Sequence, residues 1–86
     1  MRLDKFLKVS RLIKRRTLAK EIADQGRIVV NGNVAKAATN VEVGDELKIQ
    51  FGQKLLTITI DLLKETVKKD EASDLYTIKH EEYINQ

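Results

Sequence analysis

Apolar positions along this chain change period twice, and the changes mark out its elements. Leu3, Phe6 and Leu7 recur at i, i+3 and i+4, which predicts a short amphipathic helix with Arg2, Asp4, Lys5 and Lys8 on its outer side. After a connector around Val9 and Ser10, a second helix is expected over residues 17–25. Leu18, Ala19, Ile22 and Ala23 form its apolar stripe, and Lys20, Glu21, Asp24 and Gln25 its polar one. Thr17 offers an N-cap hydroxyl, and Gly26 supplies the left-handed residue on which helices commonly end.

From Ile28 the period falls to two. Ile28, Val29 and Val30 lead into Asn31-Gly32, the pair best able to adopt the positive φ angles of a type I′ hairpin turn, and a short arm returns over Asn33 to Ala35. Lys36 to Asn40 reads as loop. Val41 and Val43 then precede a turn at Gly44 and Asp45, which launches Leu47, Ile49 and Phe51 on one face of a strand. Gly52-Gln53 fits a II′ turn into a second long strand, where Leu56, Ile58, Ile60 and Leu62 alternate with Thr57, Thr59 and Asp61. Core packing is expected for Leu18, Ile22, Leu47 and Ile58. Beyond Lys64 the pattern weakens and acids accumulate; Leu75, Tyr76 and Ile78 permit a last strand or turn, and the final residues are expected to fray. The reading is α+β: two to three short N-terminal helices on a small, mostly antiparallel sheet of four to five strands. Residues 1–64 form the folded unit, and 65–86 a partly ordered acidic segment.

At 86 residues, 42% of them hydrophobic, there is room for one core only. With no cysteine, neither a disulfide framework nor a thiolate metal site is available. No apolar run approaches the ~20 residues that span a bilayer, and the arginine-rich N-terminus is interrupted by Asp4, Glu21 and Asp24, unlike a signal or transit peptide.

Charge adds the functional signal. Residues 1–27 hold nine Lys or Arg against three acids, a local +6, while the remaining residues hold seven against ten, a local −3. All five arginines lie in the basic third. Such a block is the footprint of a polyanion partner. The candidate phosphate-binding residues are Arg2, Lys5, Lys8, Arg11, Lys14, Arg15, Arg16 and Lys20, with Lys36 reaching in from its loop. Arg16 and Lys20 stand beside the start of the second helix, whose free N–H groups favour an anion. Asp4 is read as structural support, through Lys8 at helical spacing or a nearby arginine, and so are Thr17, Gly26, Gly32 and Gly44.

Catalysis is not expected. The lone histidine, His80, lies among Glu81 and Glu82 and reads as a solvated residue; Ser10 and Ser73 sit in no nucleophile elbow; there is no phosphate loop or dinucleotide fingerprint. No cofactor or metal is implied. Only four aromatic residues are present, and the signature of a base-stacking sheet is missing, so recognition of RNA would run through phosphates and shape.

The order RLDKFL, KRRTLAKEI, GRIVVNG and VEVGDELKI resembles the S4 RNA-binding domain, whose elements are RLDxxL, a basic residue before [ST]xxA, GxVxVNG and VxxGD. The match spans about residues 2–50. By motif, Arg2, Asp4 and Lys5 occupy the RLDK element, Arg16 the arginine position and Lys20 the helix position after it; Thr17 stands where serine is commoner. The resemblance implies two helices and their loop laid on structured RNA. A free-standing domain of this length is most similar to the small S4 proteins of bacterial ribosome-associated quality control. That likeness implies a cytoplasmic, ribosome-associated monomer bound to 23S rRNA and peptidyl-tRNA on stalled 50S particles, where it assists an RqcH-type factor in alanine tailing. It is also similar to the fifteen-kilodalton heat-shock group, but lacks that group's long basic C-terminal helix, so a 50S binder without a tailing role is an alternative. A protein adaptor using the acidic tail or the sheet edge is another, and attachment to an anionic membrane a weaker third.

Overall fold

The computed structural model describes residues 1–84. The elements run α1 (Leu3–Val9), α2 (Arg16–Asp24), β1 (Ile28–Val30), β2 (Asn33–Val34), β3 (Glu46–Phe51), β4 (Lys54–Ile60), a 3₁₀ segment (Lys69–Leu75) and β5 (Tyr76–Tyr83). The strands form one antiparallel sheet in the order β2-β1-β3-β4-β5. The α+β expectation holds, with the third helical piece near the C-terminus.

The core lies between the two helices and the sheet. Leu3, Phe6, Leu7, Ala19, Ile22 and Ala23 are buried on the helical side, against Ile28, Leu47, Ile49, Ile58 and Ile60 of the strands. Ile13 plugs the turn between the helices at 3% exposure, and its N–H donates to the Leu7 carbonyl at 3.1 Å. This anchor lets the basic turn residues on either side, Arg11 and Lys14, stay exposed.

Two expectations about the core fail. Leu18 is 45% exposed: α2 buries its Ala19, Ile22 and Ala23 stripe, and Leu18 falls beside that stripe. Leu62 is also 45% exposed, because β4 ends at Ile60 and the alternation continues in sequence but not in the sheet.

The helix ends show which local signals were sound. Thr17 is not the N-cap of α2. The helix begins one residue earlier, Arg15 takes the cap position with extended backbone, and no side chain caps it. At the other end the N–H of Gly26 donates to the Ala23 carbonyl and that of Arg27 to the Ile22 carbonyl, at 3.0 and 3.2 Å. That is the Schellman pattern, with Gly26 at φ 76° as it requires. The start of α1 is closed by the 35–40 loop: the N–H groups of Leu3 and Asp4 donate to the carbonyls of Thr39 and Ala37, at 2.8 and 3.1 Å. These bonds place Lys36 and its loop against the helix carrying the RLDK residues.

The turns behave as their sequences require. Asn31 and Gly32 both take positive φ, 50° and 87°. The Asn31 side chain also braces the next turn, donating to Asp45 Oδ1 at 3.0 Å and accepting from the Glu46 N–H at 2.9 Å. At Gly52-Gln53 only the glycine is left-handed, as a II′ turn demands.

The last strand extends further than three apolar residues announced. Residues 76–83 pair with β4 in seven registered positions, with an irregularity between Thr57 and Ile58. Leu75 and Ala72 of the preceding 3₁₀ segment are buried. His80 therefore lies on β5 opposite Thr57, exposed and facing Glu82 at 3.5 Å. The fraying expected of the final residues concerns 85–86, outside the described residues.

Candidate nucleic-acid interface

α1, the turn after it and the start of α2 bring five candidate cations to one groove of about 670 Å³: Lys5, Lys8, Arg11, Lys14 and Arg16. Each comes from an element with a local reason to present it. Lys5 and Lys8 leave the outer side of a helix whose inner side buries Leu3, Phe6 and Leu7. Arg11 and Lys14 flank the buried Ile13, and Arg11 itself takes a left-handed φ of 62°, uncommon for a bulky residue. Arg16 opens α2.

One acid organises this array. Asp4 is 3% exposed and meets two guanidinium groups from different elements. Arg2 donates from Nε at 3.2 Å and from Nη2 at 3.3 Å; Arg16 donates from Nη2 at 3.4 Å, and its Nε lies 3.3 Å from Asp4 Oδ2. The Lys5 N–H adds a fourth donor at 2.8 Å. Burial pushes the Asp4 carboxyl up, but the hydrogen bonds and charges of Arg16 and Arg2 outweigh it and hold the group below its ordinary 3.8. The arginine partner expected for Asp4 is therefore present, while Lys8 makes no bond to it. Asp4 does not share the outer side of α1 with the cations, because it lies beneath the two arginines.

The clamp leaves both arginines about half exposed, at 49% and 47% of their side chains. Their planar donors are oriented by the buried carboxylate and still open to an outside anion. In this arrangement Asp4 removes part of the side-chain entropy that a phosphate contact would otherwise cost.

The other candidates lie around this centre. Arg2 holds Asp4 but is not among the residues lining the groove. Arg15 is exposed at the α2 cap, Lys20 is exposed one turn beyond Arg16, and Lys36 is exposed on the loop that closes α1. Sequence reasoning missed the opposite wall, made of Glu65, Thr66, Val67 and Lys69. That stretch shows no periodicity and a mixed charge, so nothing local marks it; only the tertiary path of the chain brings it to α1.

Among the described residues no group of three potential metal ligands occurs, and no helix is long and apolar enough to cross a membrane.

A family model described as the S4 domain matches residues 1–47, the stretch that supplies the clamp and the basic wall. The chain belongs to the S4 domain family. It is 71% identical to the "RQC P-site tRNA stabilizing factor" of Halalkalibacterium halodurans, covering all of this chain and 98% of that one. The Bacillus subtilis protein of the same name is 65% identical over the full length of both. Among solved structures, Vibrio cholerae heat shock protein 15, described as trimeric, superposes with a TM-score of 0.85 at 32% identity, over 92% of this chain and 81% of that one. The fold shared with that protein takes in more of this chain than the residues 1–47 that the family model matches.

Proposed function

We propose that this S4 protein is a non-enzymatic RNA-binding factor of bacterial ribosome-associated quality control. It holds the P-site tRNA and 23S rRNA on stalled 50S particles, and so supports alanine tailing by an RqcH-type partner. The observation that carries the reading is the Asp4 clamp: Arg2, at the cap of α1, and Arg16, at the start of α2, are fixed around one buried acid, at the edge of a groove that takes five cations from the helical side. Full-length similarity to factors named for the P-site tRNA supports the choice of ligand. The protein works as a cytoplasmic monomer.

The mechanism is positional. Phosphate contacts fix the register of a protein on folded RNA without reading its sequence. A rigid row of guanidinium and ammonium groups in contact with both tRNA and rRNA would raise the residence time of the tRNA between rounds of tailing. Nothing in that role requires a bond to be broken.

Sedimentation of the protein with purified 50S subunits tests the reading. If five phosphates are engaged, affinity falls roughly a few hundredfold between about 50 and 200 mM salt. Arg16→Ala weakens binding by about 1.5 to 3 kcal/mol through a lost charged hydrogen bond. Binding that is flat in salt and indifferent to Arg16→Ala refutes it.

A second reading, the adaptor, has one observation in its favour: β5 forms a sheet edge with Ile78 51% and Tyr83 68% exposed. Tyr83→Ala with Ile78→Thr separates the two, since an adaptor loses its protein partner while the RNA factor keeps its 50S affinity.

A further inference from the structure

The second wall of the groove comes from the segment between β4 and the start of the 3₁₀ segment, including its first residue, Lys69, outside the residues matched by the S4 family model. It carries both signs of charge. Among the described residues Glu65 is the sole carboxylate lining the groove, and it pairs with the Lys5 ammonium across 60 residues of sequence. Lys69 adds a cation to the same space, and Thr66 a hydroxyl.

The pairing is lopsided. The Glu65 side chain is 76% exposed against 34% for Lys5, and Lys5 is its single hydrogen-bond partner among the described residues. Nothing in the fold therefore needs Glu65 where it is. An exposed pair of this kind adds little to stability. Its position has a different effect, because a carboxylate resting on Lys5 occupies the place of an incoming phosphate oxygen and repels the rest of the backbone.

We infer that residues 65–69 are a second wall of the RNA surface, in which Thr66 and Lys69 contact the phosphate backbone and Glu65 acts as an internal competitor for Lys5. The inference rests on the RNA-binding reading above. Displacing Glu65 frees a cation on one wall and moves an anion away from the other. The wall thus tunes affinity: RNA that fills the groove displaces the carboxylate, and RNA that touches only the basic rim does not.

The test uses the full chain, labelled, and purified 50S subunits, titrated between about 50 and 200 mM salt. Glu65→Gln binds about threefold to tenfold more tightly at the lowest salt, the size of one removed repulsion at close range in a solvent-exposed site. Its log–log salt slope stays near the parent's, because Lys5 meets a phosphate in both once RNA has displaced the carboxylate. Lys69→Ala weakens binding several-fold and flattens the slope by about 0.7 to 0.9. Glu82→Gln, on β5 away from the groove lining, controls for net charge. If Glu65→Gln binds no better than Glu82→Gln, or if Lys69→Ala leaves the slope unchanged, the inference is overturned, provided Arg16→Ala still loses 50S binding. Should Arg16→Ala bind as the parent does, the RNA reading itself fails and takes this one with it. All these positions are exposed, and circular dichroism melts confirm that each variant is folded.

Discussion

The α1–α2 unit and the β4–β5 strand pair each contain a salt bridge of 3.2 Å, Arg2 to Asp4 in one and Lys54 to Glu81 in the other. Their surroundings separate them. Asp4 keeps 4% of its side chain exposed and is shared by two arginines, whereas Glu81 keeps 39% and Lys54 35%. In water-rich surroundings an ion pair gains little over the hydration it gives up. A buried carboxylate with four donors is another matter, since losing its partners leaves a charge without solvent. Equal length thus gives unequal consequence. The helical unit holds two half-exposed arginines on one buried acid, whereas the strand pair leaves both of its charges in contact with solvent.

The largest test of this difference lies beneath the clamp. Phe6 is fully buried on the inner side of α1, and Phe6→Ala is expected to cost about 3 to 5 kcal/mol. The expected total for a domain of this size is on the order of 4 to 13 kcal/mol, so the variant is near its unfolding threshold. Chemical denaturation gives the value, and 50S binding falls with the folded fraction.

Next comes Asp4→Asn, which keeps the volume and removes the charge. It is expected to cost about 1.5 to 3 kcal/mol, toward the lower end because both arginines can recover water. The same substitution weakens 50S binding although it removes a negative charge; tighter binding would show that the clamp does not orient its arginines. Acid sharpens the point. The folded carboxyl sits below its ordinary 3.8, so its contribution is complete above that value and is lost as pH falls through the folded one. Urea melts from about pH 6 to 2 should show the parent losing its advantage over Asp4→Asn below about pH 4. The smallest effect is expected from Glu81→Gln, under about 0.5 kcal/mol, with no change in RNA affinity. A cost above 1 kcal/mol would remove the contrast drawn between the two pairs.

Much of this molecule was readable from local rules. Gly26, Asn31-Gly32 and Gly52-Gln53 sit where positive φ is needed, and few residues other than glycine and asparagine satisfy that need, so the sequence is informative there. Burial was harder. Leu18 and Ala19 are neighbours on one helix, and a modest rotation about its axis decides which of them meets the sheet. Thr17 failed as a cap because the extended residue is Arg15, a type with no capping preference, and the helix start is fixed by tertiary packing. Asp4 was legible as a partner for an arginine, but not as the centre of a pair drawn from the cap of α1 and the start of α2. The 65–69 wall was not legible at all: its relation to Lys5 exists only once β4 has carried the chain back across the molecule.

Arg2 and Arg16 belong to separate segments that meet only when α1 packs on α2, so under the proposed function the grip on RNA and the fold are linked equilibria. A bound ribosomal particle should raise the melting temperature of this small protein by mass action, by an amount set by ligand concentration relative to Kd. Off the ribosome the same chain is the more easily unfolded one. Its cellular lifetime would then follow the supply of stalled particles.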